Sequence, residues 1–174
     1  REIQKSIADS LYSAIVNFIS DNKIDHLFKI TLGEIVNLQT NARFIFAGLK
    51  SNITSIKSID KLRVILTDEA ENITQQSWDY LRPTPRYGHT RTYVVFNPRF
   101  ETDPTWQEFV IRADENTILT EINWRDNPWF PESLERQRQR SLLGDAGRYN
   151  WIWEGKFLQI SDSSILAKKL KVQD

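Results

Sequence analysis

Cysteine and methionine are both absent from the 174 residues. Without cysteine there is no disulfide framework and no thiolate zinc site. The two histidines, His26 and His89, have no second ligand candidate beside them in sequence and read as surface residues. No apolar run approaches the roughly 20 residues of a membrane-spanning helix. Neither sign of charge dominates, because 23 basic and 23 acidic residues give a formal net charge of zero. Any surface for a polyanion would therefore have to be local. Glycine is scarce: the six glycines fall at 33, 48, 88, 144, 147 and 155, and none precedes Lys-Ser or Lys-Thr. A G-x-x-x-x-G-K-[ST] loop, whose backbone N–H groups cradle nucleotide phosphates, is thus missing from the sequence.

What is present suits an ordinary folded domain. Hydrophobic residues make up 40% and charged residues 26%, enough apolar content over this length for one real core. The opening at Arg1-Glu2-Ile3, at an element boundary and with no methionine anywhere, leads to the expectation of a piece of a longer protein.

The most informative stretch is Leu62-Arg63-Val64-Ile65-Leu66-Thr67-Asp68-Glu69-Ala70-Glu71. Val64, Ile65 and Leu66 predict a strand buried on both faces, as in a parallel sheet. Asp68 and Glu69 would stand at its carboxyl end, where open α/β sheets place ligands. One carboxylate there can hold a hydrated magnesium ion while the next orients or deprotonates a water. An acidic, solvated helix start is the structural alternative.

Around it the pattern alternates. Ile3, Ile7, Leu11, Ala14, Ile15 and Phe18 predict an amphipathic helix over 4–20. Residues 28–48 read as a hairpin feeding the central sheet, with turn chemistry at Gln39-Thr40-Asn41. A helix is expected over 71–82, capped by Thr74, with Trp78 and Leu81 inward and Pro83 and Pro85 ending it. Arg91 to Phe96 is the next strand. Pro98 forces Asn97 out of helical space, which puts Asn97 at a second strand's carboxyl end, on the same rim as Glu69 if the strands are parallel neighbours. A helix over 103–110 carries Trp106, Phe109 and Val110 inward, and 117–124 reads as a further strand. A charged helix follows over 132–143; its arginines from 136 to 140 form either a phosphate-contacting or a solvated face. Tyr149, Trp151 and Trp153 read as core, and 161–171 as a last short helix. The expected fold class is α/β, with a mostly parallel central sheet flanked by helices.

Several landmarks in series resemble the large subunit of tailed-phage terminases, in the branch usually found in prophages. They are Phe44-Ile45-Phe46-Ala47-Gly48-Leu49, Thr67-Asp68-Glu69-Ala70-Glu71, Ser77-Trp78 to Leu81, Pro83-Thr84-Pro85-Arg86, Phe96-Asn97-Pro98, Asp126-Asn127-Pro128-Trp129-Phe130-Pro131 and Ile152-Trp153-Glu154-Gly155. The resemblance implies a partial P-loop (ASCE-type) NTPase domain over 1–160 that starts after its phosphate loop. Residues 161–174 would then be a C-terminal helix or linker toward an absent nuclease domain. It implies Mg2+ and ATP as cofactors of the intact parent protein. Asp68 would hold the metal through water and Glu69 would activate the attacking water. Asn97 would sense nucleotide state, and Arg86 would contact a phosphate or a neighbouring subunit. The implied partners are double-stranded DNA, the terminase small subunit, the portal protein and further copies in a homo-oligomeric ring, in the cytoplasm of a bacterial host and with no membrane contact. Because the phosphate loop is missing, the chain alone is expected to hydrolyse ATP weakly or not at all. An inactive prophage remnant or interaction module is one alternative. A helicase-type ATPase is the other, and Phe96-Asn97-Pro98 stands against it where such enzymes carry Ser-Ala-Thr.

Overall fold

The structure, a computed structural model, describes residues 11–50, 56, 59, 61–84 and 88–159. The chain divides into two units, 1–96 and 97–174. The first described helix of the first unit is α1, Ser13–Asp21. The upstream half of the expected 4–20 helix lies outside the described residues. Its end is closed by Lys23 at φ 57, with Lys23 N–H donating to the Ser20 carbonyl at 2.9 Å and Ile24 N–H to Ile19 at 3.1 Å. This left-handed stop satisfies carbonyls that the helix leaves orphaned. The buried line of α1 differs from the expected one: Ile19 is 2% exposed but Phe18 is 63% exposed. Tyr12 explains the rotation. Its hydroxyl donates to the Thr31 carbonyl at 3.1 Å and its ring meets Phe46 edge-on at 5.2 Å. That turns the i, i+4, i+7 face of Tyr12, Val16 and Ile19 inward.

Strands β1 (Phe28–Thr31), β2 (Glu34–Asn37) and β3 (Arg43–Ile45) follow. They form an antiparallel meander, with Thr31 opposite Glu34 across a two-residue turn and Ile35 opposite Phe44. The second connection is organised by Asn37, whose Oδ1 accepts the backbone N–H of Gln39 at 3.0 Å and of Thr40 at 2.9 Å. The central strand β2 holds the fully buried Ile35, and Arg43 pairs with Glu34 across the β2–β3 ladder. Among the described residues the region is therefore a three-stranded sheet of its own, not a hairpin added to a central one.

The acidic stretch begins with strand β4, Val64–Thr67. It pairs in parallel with β5, Arg91–Val94, in the register Val64–Arg91, Leu66–Tyr93 and Thr67–Val94. Among the described residues the expected mostly parallel sheet is this pair alone. The expected burial of β4 on both faces is corrected too. Val64 is 58% and Leu66 44% exposed, while Thr67 is buried. An apolar run is covered on both sides only where further layers lie over both faces.

Between β4 and β5 lies α2, Gln75–Leu81. Thr74 caps it as expected, its Oγ1 accepting Ser77 N–H at 3.2 Å. Trp78 and Leu81 are buried, together with Ala70 and Ile73 of the preceding turn. Thr84 then closes the helix by donating its hydroxyl to the Tyr80 carbonyl at 2.8 Å.

The second unit is helical. Helix α3 starts at Pro104–Trp106 and widens over Gln107–Ile111, where Arg112 N–H reaches back five residues to the Gln107 carbonyl at 3.1 Å. The widening brings Thr105 and Glu108 inward, in place of the apolar line expected from Trp106, Phe109 and Val110. Residues 117–123 carry no regular secondary structure and belong to none of the sheets among the described residues, so the strand expected over 117–124 is not formed there. Helices α4 (Glu132–Leu142) and α5 (Ala146–Glu154) form a helical hairpin. Asp145 caps α5, accepting Arg148 N–H at 2.8 Å, and Gly155 ends it at φ 63, where a Cβ would be strained. The segment expected as a helix over 161–171 lies outside the described residues. No helix among them is long and apolar enough to cross a membrane.

Trp78, 1% exposed, anchors α2 in the first unit. Trp78→Ala is expected to lower stability by about 3–5 kcal/mol, since it leaves a cavity the size of an indole. Urea denaturation of the two proteins measures it, and a loss below about 1 kcal/mol would contradict this packing.

Candidate functional site

The carboxyl rim of the parallel pair is built from the ladder outward. Val95 N–H donates to the Thr67 carbonyl at 2.9 Å, and Ala70 N–H donates to the Val95 carbonyl at 3.0 Å. Thr67 adds its hydroxyl, donating to the Tyr93 carbonyl at 3.3 Å. These bonds pin both ends of a two-residue excursion, Asp68 and Glu69. The buried Ala70 tucks against the end of β5, and the chain continues into a short turn, Ala70–Asn72. To make so sharp a turn, Glu69 takes φ 50, ψ 44. This left-handed conformation costs a non-glycine residue roughly 1–2 kcal/mol. Asp68 steadies it, its Oδ1 accepting Glu69 N–H at 3.0 Å. Asp68 is half-buried and Glu69 exposed.

Of the four residues expected from sequence, the structure thus brings two together, Asp68 and Glu69, on one strained turn at the end of a parallel strand. Asn97 is exposed and is the first residue of the second unit. The chain leaves β5 through Val95 and Phe96 before reaching it. Arg86 lies outside the described residues. His26 and His89 are exposed, as expected. Among the described residues no cluster of three or more His, Asp or Glu side chains is placed to hold a metal.

The second unit carries a charged and aromatic cluster that sequence reasoning treated as a solvated helix face plus core aromatics. Arg138 of α4 is buried. Its guanidinium grips Glu135 with two bonds, at 2.9 and 2.7 Å, and donates to the Tyr149 hydroxyl at 2.7 Å. Tyr149 in turn donates to Glu154 at 2.9 Å. Arg125 closes the chain with a two-pronged contact to Glu154 at 2.7 and 2.8 Å. Trp124 lies against both cations, its ring centroid 4.1 Å from Arg138 and 4.6 Å from Arg125. Phe130 and Trp153 complete the aromatic side. The Glu135–Arg138 spacing of i, i+3 was the available sequence signal. Tyr149 as the partner that draws Arg138 inward had none. The expected choice between phosphate contact and solvent is corrected for Arg138, which does neither. Arg136, paired with Glu132 at 2.9 Å, remains exposed.

Hydrogen bonds from Arg138, then from Gln139, hold the Glu135 carboxyl down to about 2 from an ordinary 4.5. The two-pronged bond from Arg125 likewise lowers Glu154. Each charge is satisfied within the cluster, so its chemistry is structural: it ties the Asn123–Asp126 turn to both helices. Asn123 strengthens the tie, donating Nδ2 to the Trp153 carbonyl at 3.0 Å.

A family model described as phage terminase large subunit matches residues 1–156. No curated protein matches the chain.

Two outcomes follow from this geometry. Glu69→Gly removes a Cβ from a left-handed position, so stability is expected to rise by about 1 kcal/mol, read as a higher urea midpoint. A fall would mean that the Glu69 side chain, rather than the ladder, holds the turn. Glu135 has its carboxyl depressed in the folded state, so its contribution is full above the ordinary carboxylate range and is lost as pH falls toward the folded value. Thermal melts between about pH 5 and pH 2 are expected to drop less steeply for Glu135→Gln than for the parent chain. Parallel curves would show that Glu135 is no more strongly held folded than unfolded.

Proposed function

The chain belongs to the phage terminase large-subunit family, and we propose that it is part of the ATP-hydrolysing motor domain that drives viral DNA into the prohead. The supporting observation is the turn after β4, with Asp68 and the left-handed Glu69 held at the carboxyl end of a parallel strand. In this reading the domain is of the P-loop type and of the prophage branch, and the turn is its Walker B motif. Asp68 holds the hydrated magnesium of Mg–ATP. Magnesium, when bound, neutralises charge on the phosphates.

Glu69 orients the attacking water and accepts its proton. The strain at Glu69 fits that role, since a position off the usual backbone basins is kept where surroundings over-determine it, as active sites often do. Asn97 reports nucleotide state. Arg86 contacts a phosphate or an adjoining subunit. Double-stranded DNA, the small subunit, the portal protein and further copies in a ring are the proposed partners, in the cytoplasm of the bacterial host.

The proposed site is half of what hydrolysis needs. No glycine in the sequence opens a G-x-x-x-x-G-K-[ST] loop, so the phosphate cradle must be supplied by polypeptide outside these residues. That observation favours a second reading for the 174 residues taken alone, a folded but inactive module.

Isothermal calorimetry with magnesium and ATP is expected to show no micromolar binding to the 174-residue chain; a micromolar Kd would refute the need for an added loop. In a protein that supplies the loop, Glu69→Gln is expected to lower kcat by at least about 100-fold with little change in KM, because the interaction lost is made in the transition state. Unchanged turnover would remove Glu69 from the mechanism.

A further inference from the structure

Strand β4 is exposed along much of its length and closed at its end. Val64 is 58% and Leu66 44% exposed, whereas Thr67 is 2% exposed. The most buried position of the strand thus carries its one polar side chain. A buried hydroxyl needs a partner. Thr67 finds one across the ladder, donating to the Tyr93 carbonyl at 3.3 Å. That is long for an O–H···O bond, so its weight in overall stability is modest. Its place in the chain is what gives it consequence, because Thr67 immediately precedes Asp68 and Glu69.

Glu69 keeps φ 50 and ψ 44 only while its neighbours are fixed, since that conformation is unfavourable for a residue with a Cβ. Backbone ties come from Val95 N–H to the Thr67 carbonyl at 2.9 Å and from Ala70 N–H to the Val95 carbonyl at 3.0 Å. Side-chain ties come from Asp68, whose Oδ1 accepts Glu69 N–H at 3.0 Å, and from the Thr67 hydroxyl. These two side chains differ in kind. A carboxylate that also holds a hydrated cation divides its charge between the two, which weakens its grip on Glu69 N–H. Thr67 is uncharged and bonded into the sheet, so its tie does not compete with a cation. Threonine is also stiff at χ1. Which rotamer it can adopt depends on φ and ψ, so a rotamer held by β5 restrains the backbone where the chain leaves β4.

We propose that Thr67 is a positioning residue for ATP hydrolysis: its hydroxyl, bonded to the Tyr93 carbonyl, holds Glu69 left-handed and so places the carboxylate that orients the attacking water. The proposal rests on the motor-domain reading above. Thr67 acts through the backbone of the turn and touches no reacting atom. Two substitutions separate its hydroxyl from its shape. Thr67→Val keeps the branched outline and the preference for a strand but removes the donor. Thr67→Ser keeps the donor and removes the methyl group.

Two readouts test this. In the 174-residue chain, the NMR chemical shifts of Glu69 report its backbone conformation, and hydrogen exchange of the Ala70 amide reports its bond to Val95. Thr67→Val is expected to move Glu69 out of the left-handed region and to speed Ala70 exchange at least about 10-fold, while amides of β1 to β3 exchange as before. Thr67→Ser is expected to match the parent chain in both. In a protein that supplies the phosphate loop, Thr67→Val is expected to lower kcat by about 10- to 100-fold with KM little changed, and Thr67→Ser to recover most of that loss. A hydroxyl with a structural role alone would lower the urea midpoint without separating kcat from KM. A left-handed Glu69 and a protected Ala70 amide in Thr67→Val would overturn the proposal. So would a released turn with unchanged kcat in a protein that Glu69→Gln does impair, and the motor reading would then stand. Unchanged turnover in Glu69→Gln would overturn the motor reading and the catalytic part of the proposal with it, while the backbone readout would still decide whether Thr67 holds the turn.

Discussion

The parallel pairing of β4 with β5 is the constraint from which the candidate site follows. Its ladder runs past the last paired residues: Thr67 accepts from Val95, and Val95 accepts from Ala70. With those two bonds made, the backbone between Thr67 and Ala70 has little room, and Glu69 is driven into the left-handed region. The strain is therefore a consequence of the ladder. The upstream end is tied as well, by the Thr90 hydroxyl donating to the Leu62 carbonyl at 2.6 Å. A loss of register by one residue would turn Thr67 outward and move both carboxylates.

The second unit solves a different problem. It buries a guanidinium, which is costly unless the charge is paired and its donors are used. Arg138 meets both conditions through Glu135 and Tyr149, with the Trp124 ring against its face. Arg125 repeats the arrangement on the same ring with Glu154. Two planar cations sharing one indole need a fixed geometry that a lysine would not reproduce. The turn that bears Trp124 and Arg125, Asn123–Asp126, is closed by a capping box and tied to α5 through the Trp153 carbonyl and Glu154.

Much of the architecture was legible in sequence where its cause is local. Thr74 as a cap, the stop of β5 before Pro98, the turn at Gln39 to Asn41 and the α4 helix depend on bonds spanning a few residues. The errors lie where burial decides. Periodicity marks Phe18 as inward, but contacts of Tyr12 with Thr31 and Phe46 rotate α1. The run Val64 to Leu66 suggests a doubly covered strand, but the described residues supply no second cover. The segment 117–124 has strand composition, yet a strand forms only where a partner backbone is available.

The sequence by itself determined the family of this chain, the adjacency of Asp68 and Glu69 after an apolar run, and the absence of a phosphate loop. Each is a property of residue types at fixed spacing. Only the tertiary structure decided that β4 pairs in parallel with β5, that Glu69 is left-handed, that Arg138 is drawn inward and that 117–122 joins no sheet among the described residues. Those outcomes depend on partners far along the chain. Arg125 and Glu154 lie 29 residues apart, and Thr67 meets Tyr93 across 26. No local pattern encodes which distant group arrives, because that choice is made by packing and backbone hydrogen bonding acting together.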